Sequence, residues 1–317
     1  MKNKTDNLPP DYSNKIIGSC SLIKDCRNFA FKIASSDAPV LITGDSGTGK
    51  ELFADLIYKN SLRYGKPFVK INCAAIPESL IESELFGHLK GAFTDASSYR
   101  KGKFIAADTG TVFLDEITEL PLNTQSRLLR VIENSAVDQL GSENPVKIDI
   151  RIISATNRDI EAEVSAGRFR KDLYYRLNVL LLHIPELKNR KDDIPQLVDY
   201  FSGRMNGGIV FTSNAMEKLY SYDWPGNVRE LENYIKRLSV TMKGKTIKPE
   251  DIEFKNYEKN IILPLKTAIN KFKKNYIIKA LKANEWNQSR TSSVLGIQRT
   301  YLSRLINELE IKEEIKE

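Results

Sequence analysis

Val40-Leu41-Ile42-Thr43-Gly44-Asp45-Ser46-Gly47-Thr48-Gly49-Lys50-Glu51 decides the fold of this 317-residue chain. Four β-prone residues run into a glycine-rich turn, and the turn opens a helical stretch, Glu51 to Asn60. Strand, loop and helix in that order are the context a phosphate-binding loop requires. Its glycines let backbone N–H groups turn inward on phosphates, the helix N-terminus adds its dipole, and Lys50 supplies a point charge. Glu51 stands where most such loops place a Ser or Thr for Mg²⁺, so other residues must hold the metal.

Working outward, short β-rich runs alternate with helical stretches: Phe68-Val69-Lys70-Ile71, Val112-Phe113-Leu114, Ile150-Arg151-Ile152-Ile153 and Val179-Leu180-Leu181-Leu182. That alternation predicts an α/β domain with a largely parallel sheet. Gly110-Thr111-Val112-Phe113-Leu114-Asp115-Glu116 is an apolar strand ending in two carboxylates, as a Walker B segment should. Asp115 would organise Mg²⁺, and Glu116 would orient and deprotonate the attacking water.

From Arg190 to Lys243 the pattern turns helical, punctuated by Asp192-Asp193-Ile194-Pro195 and Trp224-Pro225-Gly226-Asn227. The expected organisation is a tail over 1–14, an α/β subdomain over 15–185, a helical lid over 186–243, a linker over 244–262 and an all-α module over 263–317.

Within that last module, Asn287 to Ile297 reads as a helix and a Gly-containing turn. A second helix follows, with Leu302, Leu305, Ile306 and Leu309 at helical spacing, behind a long helix from Leu265 to Ala283. This is a helix-turn-helix pattern. Such a second helix lies in the major groove, which makes Arg299, Thr300, Tyr301, Ser303 and Arg304, with Asn287, Gln288 and Ser289 ahead of them, the candidate DNA contacts. Gln298 stands at the second helix's N-cap, where Ser is a better cap. Residues 243–317 hold 16 Lys and Arg against 10 Asp and Glu, which places +6 of the chain's +7 here.

Composition excludes other chemistries. With 41% hydrophobic and 28% charged residues the chain can bury a full core, and no run of about 18 apolar residues or secretory h-region is present. The expected compartment is the cytoplasm. Cys20, Cys26 and Cys73 show no CxxC spacing, and His88 and His183 are the chain's two histidines, too few for a zinc centre or a Ser/His/Asp hydrolase. The cysteines read as reduced and structural.

Five motifs in order resemble one family closely: Gly44 to Glu51, Glu84-Leu85-Phe86-Gly87-His88, Gly91-Ala92-Phe93-Thr94-Asp95-Ala96, Phe113 to Ile117, and Trp224-Pro225-Gly226-Asn227-Val228-Arg229-Glu230-Leu231. They look like the AAA+ domain of sigma-54-dependent activators, and the terminal module is similar to the Fis-type module that ends many of them. The resemblance implies a ring, usually a hexamer, that hydrolyses ATP with Mg²⁺ and opens promoters held by sigma-54 RNA polymerase. It casts Asn72 as the switch holding Glu116 from water, Thr156 and Asn157 as sensor I, and Arg229 as sensor II. Arg170 and Arg176 match arginines that reach a neighbouring subunit's nucleotide. Gly91 to Ala96 would contact the sigma factor through Phe93 and Thr94; Asp95 replaces the family's usual second glycine. Paired terminal modules would read a palindrome upstream of the promoter.

Too few residues precede the AAA+ domain here for a receiver, so either a regulatory domain lies outside this sequence or control is expected from a separate regulatory protein or from regulated synthesis. Two other readings stay open. One is a DNA-binding regulator that keeps the ATPase for oligomerisation and acts without sigma-54; the other is a AAA+ remodelling enzyme such as an unfoldase or clamp loader.

Overall fold

The computed structural model describes residues 16–92, 98–204, 208–242, 244, 246–254, 265–284, 286–309 and 311. They form two compact units, Met1–Ile252 and Glu253–Glu317. The larger begins with α1 (Ser21–Ala34), β1 (Val40–Thr43), α2 (Lys50–Lys59), β2 (Phe68–Asn72) and α3 (Glu78–Phe86). A short antiparallel pair, β3 (Gly87–His88) and β4 (Arg100–Lys101), precedes α4 (Lys103–Ala106) and β5 (Thr111–Asp115). Next come α5 (Leu122–Asn134), a second short pair, β6 (Ala136–Val137) and β7 (Val146–Lys147), then β8 (Arg151–Thr156), α6 (Ile160–Ser165), α7 (Lys171–Leu177) and β9 (Leu180–His183).

The long strands make one parallel sheet in the order β2-β5-β8-β1-β9. Both faces are covered, and the strands show it residue by residue. Leu41, Val112, Leu114 and Ile152 join one core with α3, α5 and α7, whereas Val40, Ile42, Phe113, Ile153 and Ala155 join another with α1 and α2. Strands buried on both faces read as continuous apolar runs, which is why β1, β5 and β8 were visible in the sequence. Register pairs Thr43 with Thr156 and Asn72 with Asp115, so the functional side chains gather along the carboxyl edge. In open α/β sheets that edge is where ligands bind.

The helical lid that follows consists of α8 (Ile194–Gly203), β10 (Val210–Phe211), α9 (Ser213–Ser221), α10 (Asn227–Thr241) and β11 (Thr246–Ile247). Trp224 is buried at its centre, with the indole Nε1 donating to Leu219 O at 2.9 Å. The stretch expected to be linker from 244 onward starts as part of this lid. β11 pairs with β10, Ile247 and Ile252 are buried, and Lys218 donates to Pro249 O at 2.8 Å. Two isolated apolar residues among polar ones carry no periodic signal, so the lid's last element was not legible.

In the smaller unit, α11 (Leu265–Ala283), α12 (Gln288–Val294) and α13 (Arg299–Glu308) enclose a core of Ile277, Leu281, Leu302, Leu305, Leu309 and Ile311. Among the described residues no helix is long and apolar enough to cross a membrane.

Candidate active site

The phosphate-binding loop leaves β1 and enters α2 with Lys50 only 7% exposed. Lys50 Nζ donates to Gly44 O at 2.8 Å and Asp45 O at 3.4 Å, and lies 4.0 Å from Glu116 Oε1. Burial holds this ammonium below the usual lysine range, and the Glu116 and Asp115 carboxylates pull the other way.

The lid closes directly on the loop. Arg229 donates from Nη1 to Ser46 Oγ at 3.1 Å and from its backbone N–H to Gly47 O at 3.3 Å. Buried Asn227 donates from Nδ2 to Ser46 O at 3.0 Å and accepts Leu187 N–H at 2.8 Å. Gly47 has φ +78°, and a Cβ there would sit 2.3 Å from Gly226 O. The loop thus needs glycine for the approach of the lid as well as for its turn.

Across the sheet, β5 ends in Asp115, whose Oδ1 accepts the Glu116 N–H at 3.1 Å. Burial raises the Asp115 carboxyl, against the pull of Lys50. Glu116 adopts a left-handed backbone, φ 52° and ψ 51°, and its Oε2 accepts the Asn157 N–H at 3.2 Å. A non-glycine residue in that region stores strain, here at the carboxylate the sequence assigned to water activation.

Thr156 is buried, sharing a hydrogen bond with Thr118 Oγ1 at 2.9 Å and accepting the Arg158 N–H at 3.1 Å. Its hydroxyl shapes the strand end, while Asn157 is exposed beside Glu116. Asn72 ends β2, paired in register with Asp115. Its Oδ1 caps the following turn by accepting Ala74 and Ala75 N–H at 3.0 and 3.2 Å, and among the described residues the bond to Glu116 comes from Asn157 instead. Glu51 is engaged by Lys70 Nζ at 2.9 Å, and Lys70 also pairs with Asp55 at 2.6 Å.

Arg170 forks onto its own Asp172 at 3.0 and 2.6 Å, and exposed Arg176 reaches Glu133 at 3.2 Å. Neither arginine touches the loop of its own chain among the described contacts. Gly91 and Ala92 form a turn whose Ala92 N–H meets Leu89 O at 3.2 Å; Phe93, Thr94, Asp95 and Ala96 lie outside the described residues. Cys73 is buried beside Asp115 and Glu116, its thiol pushed up to about 12, so it is an inert packing group.

In the smaller unit, Asn287 Oδ1 caps α12 by accepting Ser289 and Arg290 N–H, both at 3.1 Å. Arg299, Thr300, Tyr301 and Arg304 are exposed on α13, Ser303 and Gln288 are half-buried, and the Arg304 guanidinium lies 5.1 Å from the Tyr301 ring centre. Gln298 makes no side-chain cap bond.

Sequence reasoning missed a cavity of about 290 Å³ between the first described residues, the loop and the lid, lined by Ile16, Ile17, Gly49, Leu52, Arg190 and Tyr200. Buried Arg190 donates to Thr48 O at 3.1 Å, and Asp193 accepts Ser19 and Cys20 N–H at 2.7 and 2.8 Å. A pocket with apolar walls next to a phosphate-binding loop suits a planar base. The Asp192-Asp193-Ile194-Pro195 run had marked only a helix start.

The Sigma-54 interaction domain family matches residues 16–183, the AAA+ ATPase lid domain 188–262, and the Fis family of bacterial regulatory proteins 269–309. The transcriptional regulatory protein ZraR of Salmonella typhimurium is 45% identical over 303 residues, covering 92% of this chain and 68% of that protein. The regulatory protein AtoC of Escherichia coli is 44% identical over 313 residues, covering 92% and 67%. This chain thus spans about two thirds of the length of its curated relatives. Among solved structures, NtrX from Brucella abortus in complex with ATP is 32% identical with a TM-score of 0.70, covering 94% of this chain and 69% of that one. The chain belongs to the sigma-54-dependent transcription activators, with an AAA+ ATPase domain, its helical lid and a Fis-type DNA-binding helix-turn-helix.

Proposed function

We propose that this activator binds DNA upstream of a promoter, assembles into a ring and uses ATP hydrolysis to convert the closed complex of sigma-54 RNA polymerase into an open one. The observation that carries the reading is the convergence of Lys50, Asp115, Glu116 and Arg229 on one sheet edge under the lid. Lys50 and the loop N–H groups of Gly44 to Gly49 bind the phosphates, and Arg229 and Asn227 tell the lid whether the loop is filled. Glu116 accepts a proton from water, and Asn157 fixes the carboxylate by its N–H.

Asp115 and Glu116 suit a hard divalent cation: both offer oxygen, and burial leaves Asp115 short of positive charge. Mg²⁺, when bound, neutralises phosphate charge there. Glu51, tied to Lys70, is not free to join them in holding the cation unless that pair opens.

Arg170 and Arg176, exposed and clear of their own loop, are placed to serve a neighbour's nucleotide in a hexamer. The sigma contact falls to Phe93 and Thr94 in Gly91–Ala96, and DNA contact to α13 with paired modules on a palindrome. The setting is the cytoplasm.

The test is open-complex formation on a sigma-54 promoter with wild type, Thr94→Ala and Glu116→Ala. Wild type opens the promoter with ATP, Thr94→Ala hydrolyses ATP without opening it, and Glu116→Ala binds ATP but loses turnover by 10²-fold or more, on the order expected for a lost general base. If wild type hydrolyses ATP and never opens such promoters, Asp95 has uncoupled the loop and the protein regulates without sigma-54.

A further inference from the structure

Gln125, the fourth residue of α5, is fully buried, and three of the four hydrogen-bonding directions of its amide are used on backbone. Nε2 donates to Leu120 O at 2.7 Å and to Arg168 O at 3.0 Å, while Oε1 accepts the Arg170 N–H at 2.9 Å. Only this orientation of the amide works, because exchanging O and N would set oxygen against two carbonyls and N–H against N–H. The side chain therefore reads both loops unambiguously.

One of those loops comes from the water-activating carboxylate. Glu116 begins the single turn Ile117–Glu119, and Leu120 ends it. The other presents Arg170, with Arg168 forked onto Glu163 at 2.7 and 2.9 Å and Phe169 buried. Arg170 stands at the N-cap of α7, and the Gln125 bond fixes its backbone N–H. Among the described contacts, the Arg170 side chain is held by the exposed fork to Asp172. Its backbone is the firmer hold, and among the described contacts the buried polar side chain bonded there is Gln125.

We propose that Gln125 is a positioning residue that ties the loop leaving Glu116 to the loop that presents Arg170, so that the arginine's placement on the neighbouring subunit's nucleotide depends on it. The proposal rests on Arg170 acting in trans. It implies that movement of Glu116 on nucleotide binding is passed through Leu120 to the interface, from one site to the next.

The test uses full-length chains mixed before assembly. Gln125→Met, similar in volume, removes all three bonds; Gln125→Glu, the second variant, keeps the acceptor for Arg170. Each should bind ATP within about twofold of wild type, since the residue is remote from the loop, and lose turnover by about 100-fold, the cost of a misplaced catalytic group.

Gln125→Met is then mixed equally with Glu116→Ala, which has a dead site but an intact arginine. Random rings place an intact site against an intact arginine at about a quarter of interfaces, so turnover recovers toward that fraction. The reference mixture, Arg170→Ala with Glu116→Ala, recovers likewise. If the reference recovers and the Gln125 mixture stays inactive, Gln125 serves its own subunit's Glu116 and the proposal is overturned. If the reference also stays inactive, the trans role of Arg170 fails and carries the proposal with it. Unchanged turnover in both Gln125 variants overturns it outright.

Discussion

At the scale of single residues, Gly47 is where loop and lid are least able to give way. Its φ of +78° is unfavourable for an L side chain, and a Cβ would meet Gly226 O at 2.3 Å. Gly47→Ala should weaken ATP binding by 100-fold or more and destabilise the chain by about 1–3 kcal/mol, the usual cost of a forced backbone. Calorimetric titration with ATP and a thermal melt check both; near-normal ATP affinity would show that the lid is not closed on the loop in solution. Lys50, Asp115 and Glu116 were legible because their positions follow from strand order alone. Gln125, Thr118 and Asn227 were not. Each acts on groups about 40 residues or more away, Gln125 on Arg170, Thr118 on Thr156 and Asn227 on Leu187 and Ser46, and nothing local marks a polar side chain as the clamp between two loops. Asn72 is the local counterpart: its amide oxygen caps the turn directly after it.

Whole elements were easier to read than single residues wherever a run was buried on both faces. β1, β5 and β8 carry apolar residues at consecutive positions because the sheet has helices on either side. The two-residue strands β3, β4, β6, β7, β10 and β11 offer no period to detect, and they flank loops or finish the lid. Helix starts were readable from Gly and Pro punctuation and not from side-chain caps: α8 and α10 start without a cap bond, and α12 and α13 differ in capping within one motif. Asn287 caps α12 with two bonds, and Gln298 caps α13 with none. Gln298→Ser should therefore stabilise α13 by about 1 kcal/mol, raising protection of its amides against hydrogen exchange roughly fivefold while α2 is unchanged. Equal protection in both proteins would mean that the Leu302 and Leu305 packing, and not the cap, limits opening of α13.

For the molecule as a whole, charge separates the two activities. The +6 carried by residues 243–317 does not by itself separate a DNA-binding face from a solvated one; the helix-turn-helix pattern is what favours DNA. Exposed Arg299 and Arg304 on α13 make the distinction measurable, because exposed charges that meet phosphates release counterions and buried ones are poorly screened. With about six phosphate contacts, affinity for a labelled DNA duplex should fall about 10³-fold between 50 and 200 mM salt. Arg299→Ala should lower the log–log slope by about 1. On the proposed site ATP would meet Lys50, only 7% exposed, so its affinity should respond far less over the same range. Fluorescence anisotropy against DNA and calorimetry against ATP, run on the same preparation, give both slopes. A flat DNA slope would make the basic end a solvated face. A DNA slope that is steep but indifferent to Arg299 would move the phosphate contacts off the N-terminus of α13 and onto other basic residues of the same unit.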